Sequence, residues 1–215
     1  MNGLHEVSFV RLQSCRDCGE RNNITKDSAA STPPRQLEAD PKRNGNEPVK
    51  LAYSTYALQS VDPFEAIAGV KEIGYDALEL NTGEAWPTSP GKLDVDTRKR
   101  LRDALQSAGF PSPVLMNLIG PCELDEATDD KLRVLEGTFH LADHLNYDGR
   151  PKVVTTTLGH RPGSWDDSRD AYVDALQPYA QMAADHDVTL ALEPHIGQSF
   201  DSPEKGVWLV ETMDM

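Results

Sequence analysis

Two short stretches carry most of the chemistry this sequence can offer. In Leu190-Ala-Leu-Glu-Pro-His195 the residues alternate with the period of a strand, so Thr189, Ala191 and Glu193 share one face while Leu190 and Leu192 share the other. The leucines suit a layer of helices, which turns Glu193 inward. An inward carboxylate is costly unless it is paired, hydrogen-bonded or bound to a cation. Leu158-Gly-His-Arg-Pro-Gly163 ends the preceding apolar run in the same way. Gly159 lets the backbone turn close to the site and leaves His160 beside Glu193. Neutral imidazole next to carboxylate can hold Mn²⁺, Zn²⁺, Co²⁺ or Mg²⁺, and two ligands do not choose among them. Trp86 and Trp165 also follow strand ends, where an indole can stack on a sugar ring or simply cover the mouth of the site. His140 and His144 stand i, i+4, as helix-borne zinc ligands can, but Leu132, Leu135, Phe139 and Ala142 mark the opposite face as the apolar one. That histidine pair is expected to face water.

These residues need a scaffold, and the hydrophobic pattern describes one. Strand-like runs at residues 50–55, 75–81, 114–118, 152–158 and 188–193 alternate with amphipathic helical stretches. Asp62-Pro63 opens the first helix as N-cap and first helical residue, and Gly74 closes it. Later helices are expected over about 96–108, 128–145 and 167–186, with a last one starting at Ser202-Pro203. Pro178 is expected to kink or split the fourth. The helix ends at Gly74, Gly109, Asn146 and His186 are spaced by 35, 37 and 40 residues. Five strand-then-helix units at this pitch imply a parallel sheet covered by helices, either doubly wound or closed as a barrel. No Gly-x-Gly-x-x-Gly turn supports a dinucleotide site. Polar residues instead gather at the carboxyl ends of the strands: Ser54, Thr55, Glu79, Asn81, Asn117, His160, Glu193 and His195. Barrel active sites are built at that rim, which favours a TIM-type (β/α) barrel.

Charge narrows the partners. The chain has 215 residues and a net charge of −14 from 21 basic and 35 acidic side chains. Residues 1–49 hold seven of each sign, so the entire excess belongs to residues 50–215. An acidic body repels phosphate backbones, which argues against a nucleic-acid partner. No apolar run reaches the roughly 20 residues of a membrane helix. Residues 1–49 read as a disordered N-terminal extension, rich in Asn, Ser, Thr, Pro and charge, ahead of one barrel domain over 50–215. Cys15 and Cys18 form a lone C-x-x-C without further zinc ligands, and Cys122 stands apart. Leu12-Gln13-Ser14-Cys15 is close to a lipoprotein cleavage box, but Arg11 interrupts the apolar stretch and no basic segment precedes it. A cytoplasmic location is expected.

Gly74-Tyr-Asp-Ala-Leu-Glu-Leu80, the Gly-His160 after the fourth strand and the Leu-Glu193-Pro-His after the fifth together resemble the sugar phosphate isomerase/epimerase superfamily. These are the xylose isomerase-like barrels, which also include the endonuclease IV relatives. The resemblance implies that Glu193 is a metal ligand and acid/base group, and that His160 is a ligand or substrate contact. It places Glu79 near substrate or metal, and His195 where it can touch substrate. The DNA-repair branch carries a histidine at the end of strand three; here the position reads Asn117, leaving it a candidate substrate contact and weighing against that branch. The family fold has eight strands and draws further Asp, His and Glu ligands from the last three, whereas five are recognisable here.

The resulting expectation is a divalent-metal-dependent isomerase or epimerase acting on a sugar or related polyol. The alternative is a non-catalytic truncated barrel that serves as a binding module or needs another chain. Five open strands are further expected to self-associate, and to be inactive alone.

Overall fold

The computed structural model describes residues 10–12, 50–124 and 128–213. After a short strand β1 (Val10–Leu12), the chain forms β2 (Ala52–Ser54), α1 (Pro63–Ile73), β3 (Ala77–Asn81), α2 (Val95–Ser107) and β4 (Val114–Met116). It continues through α3 (Thr128–Leu145), β5 (Lys152–Thr157), α4 (Trp165–Asp185), β6 (Val188–Glu193) and α5 (Pro203–Met213). Strands β2 to β6 lie side by side in chain order and pair in parallel throughout. A doubly wound sheet would reverse direction at a switch point. None occurs, so the strands form the continuous wall expected of a (β/α) barrel.

The wall sorts side chains by parity. Leu78, Leu80, Leu115, Val154, Leu190 and Leu192 face the helices and are buried. Against them pack Leu101 and Leu105 of α2, Leu135, Phe139 and Leu141 of α3, and Tyr172, Leu176 and Tyr179 of α4. Each fully buried side chain of this size contributes about 1.5–3 kcal/mol relative to exposure. The opposite parity puts Ala52, Ala77, Glu79, Val114, Val153 and Thr189 around an inner groove of about 510 Å³. The helix layer thus supplies the core and leaves the inner face to small and polar residues.

Local signals set the helix ends. The Asp62 carboxylate accepts from the Phe64 and Glu65 N–H groups at the start of α1, and Gly74 takes the left-handed conformation (φ 103°) that ends it. Ser164 and Asp167 form a reciprocal capping box, so α4 begins at Trp165, two residues before the expected start. The split expected as one outcome at Pro178 does not occur: α4 runs unbroken from Trp165 to Asp185 with Pro178 inside it. Tyr172, Leu176, Tyr179 and Ala180 are buried along one side of α4, and their packing holds the helix together across the missing N–H.

The segment read as an extension is not wholly without structure. Val10–Leu12 pairs antiparallel with β6, Val10 opposite Leu192 and Leu12 opposite Leu190. The edge of β6, expected to be open, is therefore occupied. An unpaired row of N–H and C=O groups accepts any extended segment that reaches it, and three residues are too few for a period-2 signal to show in sequence. The rest of residues 1–49, with Cys15 and Cys18, lies outside the described residues.

Candidate active site at the carboxyl ends of the strands

Glu79 and Glu193 occupy the inner face. Glu79 pairs across the sheet with Ser54 on one side and Val114 on the other. Its Oε2 accepts a hydrogen bond from Thr155 Oγ1 at 3.2 Å, reaching past β4 to β5. Burial pushes the Glu79 carboxyl above its usual range; hydrogen bonds from Ser54 and Thr155 oppose the shift, and the charge of Glu193 adds to it. The two glutamates are electrostatic neighbours although 114 positions separate them in sequence. Glu193 ends β6 opposite Thr157, three residues before His160.

The loop after β5 meets the loop after β4. Gly159 adopts φ 82°, and a Cβ there would overlap Cγ of Glu123. Gly120 (φ 52°) is nearly as close, its Cβ position lying 2.8 Å from Glu123 Oε2, against the still shorter approach to Cγ at Gly159. The Glu123 carboxylate fills the space both glycines leave, and its Oε1 accepts from the His160 backbone N–H at 3.2 Å. The buried Lys131 Nζ donates to the carbonyls of Gly120 (3.0 Å) and Glu123 (2.9 Å) and pins this loop to α3. Glu123 is the residue that sequence reading missed. Its signal was the pair of glycines that make room for it, and these lie 39 positions apart.

Other expected contacts separate into those near the rim and those spent elsewhere. His195 is exposed, its Nδ1 3.1 Å from the Ile196 carbonyl and its N–H bonded to the Phe200 carbonyl. Asn117 is not brought to the inner face. It is buried and donates its amide to Thr138 Oγ1 of α3 at 2.9 Å, because the strand parity at its position points into the helix layer. Trp86 donates Nε1 to the carbonyls of Thr55 and Tyr56 and packs on the Tyr56 ring at 5.5 Å, so it covers the end of β2. Trp165 stacks among Tyr172, Phe200 and Trp208 with centroids 5.5–6.0 Å apart and joins α4 to α5. Of the two roles open to each indole, the geometry serves covering and packing. Asn81, at the end of β3, is buried with its side-chain N–H₂ lacking a hydrogen-bond partner, while its Oδ1 accepts from Gly83. Sequence reading placed it at the rim but gave it no role.

A nucleophilic thiol is absent from the described site. Cys122 is buried and its pKa is pushed up to about 12 by burial, so it stays protonated and inert. The available chemistry is that of carboxylates. The charge of Glu193 raises the buried Glu79 carboxyl further, and a bound divalent cation would offset that repulsion. Carboxylate oxygens from Glu193 and Glu79 with an imidazole from His160 are of the right chemistry for such an ion, but His160 is exposed and the structure does not gather the three donors within ligating distance of one another.

With this geometry in view, comparison with known proteins becomes informative. The fold is similar to the crystal structure of the probable 3-DHS dehydratase AsbF, involved in petrobactin synthesis, from Bacillus anthracis. The TM-score is 0.63 at 14% identity, over 78% of this chain and 60% of that one. It is also similar to a xylose isomerase-like TIM barrel protein from Mycobacterium smegmatis solved in complex with magnesium. There the TM-score is 0.54 at 13% identity, over 77% of this chain and 61% of that one. This chain spans about three-fifths of the length of both. Comparison with curated proteins gives no match. Among the described residues, no helix is long and apolar enough to cross a membrane. Residues 67–214, from within α1 past the end of α5, match the xylose isomerase-like TIM barrel family. That match takes in well over half of the sequence and all of β3 to β6, and the chain belongs to this family.

Proposed function

We propose that this chain carries the metal-binding half-site of an enzyme that moves a proton next to a carbonyl in a sugar or related polyol. The observation that carries the reading is the pair of carboxylates on the inner face, Glu79 desolvated and Glu193 close enough to raise its pKa further. Such a pair divides labour: one carboxyl holds a proton at neutral pH more readily than the other. In this reading Glu193, at the strand end, removes the proton from the carbon between carbonyl and hydroxyl. Glu79, deeper and hydrogen-bonded to Thr155, orients a substrate hydroxyl and returns a proton. Glu193 would hold a divalent ion, with the exposed His160 turned inward to join it; when bound, the ion supplies polarisation of the carbonyl and the adjacent hydroxyl. Trp86 covers the end of β2, and the exposed His195 would contact the outer end of the substrate. A polyol needs no basic cluster, which suits an acidic body. Isomerisation and epimerisation share this proton abstraction. So does loss of water from the next carbon, and the fold likeness to a probable dehydratase favours that outcome as the second reading.

Deuterium exchange tests the shared step directly. The full chain, with Mn²⁺, Mg²⁺, Co²⁺ or Zn²⁺ in D₂O, is incubated with a panel of ketoses, aldoses and cyclic hydroxyketones, and α-deuterium is followed by NMR. Full turnover is not expected of five strands alone, but the proton-exchange step that Glu193 carries is: metal-dependent exchange on at least one compound, reduced about 10²–10⁴-fold in Glu193→Gln. Retention of the hydroxyl distinguishes isomerase from dehydratase. Absence of exchange on every compound, or equal exchange in Glu193→Gln, would overturn the reading and leave a non-catalytic barrel piece that binds or assembles.

A further inference from the structure

A second group of ligating side chains lies at the other end of the molecule. Glu136 and His140 stand one turn apart on α3, and His186 caps the carboxyl end of α4. One donor atom from each falls within 4.8 Å of the other two. His186 Nε2 is 4.0 Å from Glu136 Oε1, and the His140 and His186 rings meet edge to face with centroids 5.0 Å apart. Helices return antiparallel to the strands, so the end of α4 lies toward the amino ends of β5 and β6, away from Glu193 and His160. The group is outside the site described above.

We propose that Glu136, His140 and His186 form a zinc-type transition-metal site that clamps α3 to the turn between α4 and β6. The chemistry is that of the donor set: two imidazoles and one carboxylate suit Zn²⁺, Co²⁺, Ni²⁺ or Cu²⁺, whereas Mg²⁺ prefers oxygen alone. The distances are compatible. Tetrahedral zinc with ligands at about 2.0–2.2 Å holds its donors about 3.4 Å apart. Closing from 4.0–4.8 Å takes small rotations of side chains that are still partly exposed, Glu136 by 47%. Two ligands come from one rigid helix at the i, i+4 spacing that puts both on one face. The third is held by its own backbone. The His186 N–H donates to the Met182 carbonyl at 3.1 Å, and its C=O accepts from Lys152 Nζ at 2.7 Å. Lys152 also pairs with Asp143 at 2.6 Å, so α3, β5 and the α4 turn already meet at this point. Phe139 packs on the His186 ring at 5.6 Å and limits its rotation. His144, i+4 from His140 and expected with it to face water, takes no part: its Nδ1 lies 2.8 Å from the His140 carbonyl. Three protein ligands leave one position for water, and the ion acts as an external staple between two helices that share one stretch of core.

The experiment uses the full chain, stripped by chelator and titrated with ZnCl₂ by calorimetry, with thermal unfolding in parallel. In Glu193→Gln/His160→Ala, which disables the rim, one equivalent of tightly bound Zn²⁺ and a Tm rise of several degrees are expected to remain. Adding His140→Gln to that background is expected to weaken zinc at least about tenfold and abolish the rise. His140 is exposed, so the metal-free Tm and far-UV circular dichroism should not change with it. Co²⁺ should give the intense visible band of four-coordination, lost with His140→Gln, and MgCl₂ should shift nothing. Loss of tight zinc in the rim double variant, its survival in the triple variant, or a six-coordinate cobalt spectrum would each overturn the proposal. Because this arm reads binding and stability on a background without Glu193, it stands or falls separately from the catalytic reading.

Discussion

At the scale of single residues, Glu79 links burial to stability. Its carboxyl is shifted upward from its usual 4.5, first by burial and then by Glu193. A raised pKa means that the folded chain holds this proton to higher pH than the unfolded chain does. Ionisation therefore costs stability, beginning as pH rises past the unfolded value and complete once it passes the folded one. Glu79→Gln keeps the shape and an acceptor for Thr155 but removes the charge. With chelator present, the variant is expected to have the higher Tm at pH 7, and the gap should close below about pH 4. Thermal unfolding across that range checks this, and a wild type that is the more stable at pH 7 contradicts it. Such a carboxylate, kept where it lowers stability, is the pattern expected of a functional group.

At the scale of elements, α4 departs most from its sequence. Pro178 sits late in a 21-residue helix, exposed, with one N–H missing from the ladder. A proline inside a helix costs about 3 kcal/mol relative to alanine. Pro178 is exposed while Tyr172, Leu176, Tyr179 and Ala180 are buried, so Pro178→Ala restores one bond without changing the buried side. A gain of about 1–3 kcal/mol is expected, read as a higher urea midpoint at unchanged m-value. Truncating the Ser164 cap acts in the opposite direction, since its side chain and Asp167 satisfy the first turn. The same turn places Trp165 against Phe200 and Trp208, so cap, aromatic cluster and rim loop form one unit.

At the scale of the whole molecule, the sheet has one edge occupied by β1 and the other formed by β2. The inner groove is lined in part by apolar side chains such as Ala52, Ala77, Val114 and Val153. Among the described residues β2 has no partner on its outer side, and such an edge beside an apolar groove favours association with like or complementary surfaces. The full chain is expected to self-associate, with a sedimentation coefficient that rises with protein concentration across a tenfold range. A concentration-independent monomer would show that short β2 and the polar groups of the groove suffice to keep the face solvated.

What the sequence determined by itself is what local spacing can encode. The order β2 to α5, the capping at Asp62-Pro63 and Gly74, and the inward parity of Glu193 all follow from side-chain periodicity and backbone preference over a few residues. Asn117 shows a misjudged face: read at the rim, it keeps the parity of Leu115 one residue past β4 and turns to Thr138 in the helix layer. The neighbourhood of Glu79 and Glu193, the lodging of Glu123 between Gly120 and Gly159, and the meeting of His140 with His186 rather than His144 join positions dozens of residues apart. So does the pairing of Val10–Leu12 with β6. These contacts depend on how the strands stack in register and how the helices cross above them, and no local pattern carries that information; tertiary structure decided them.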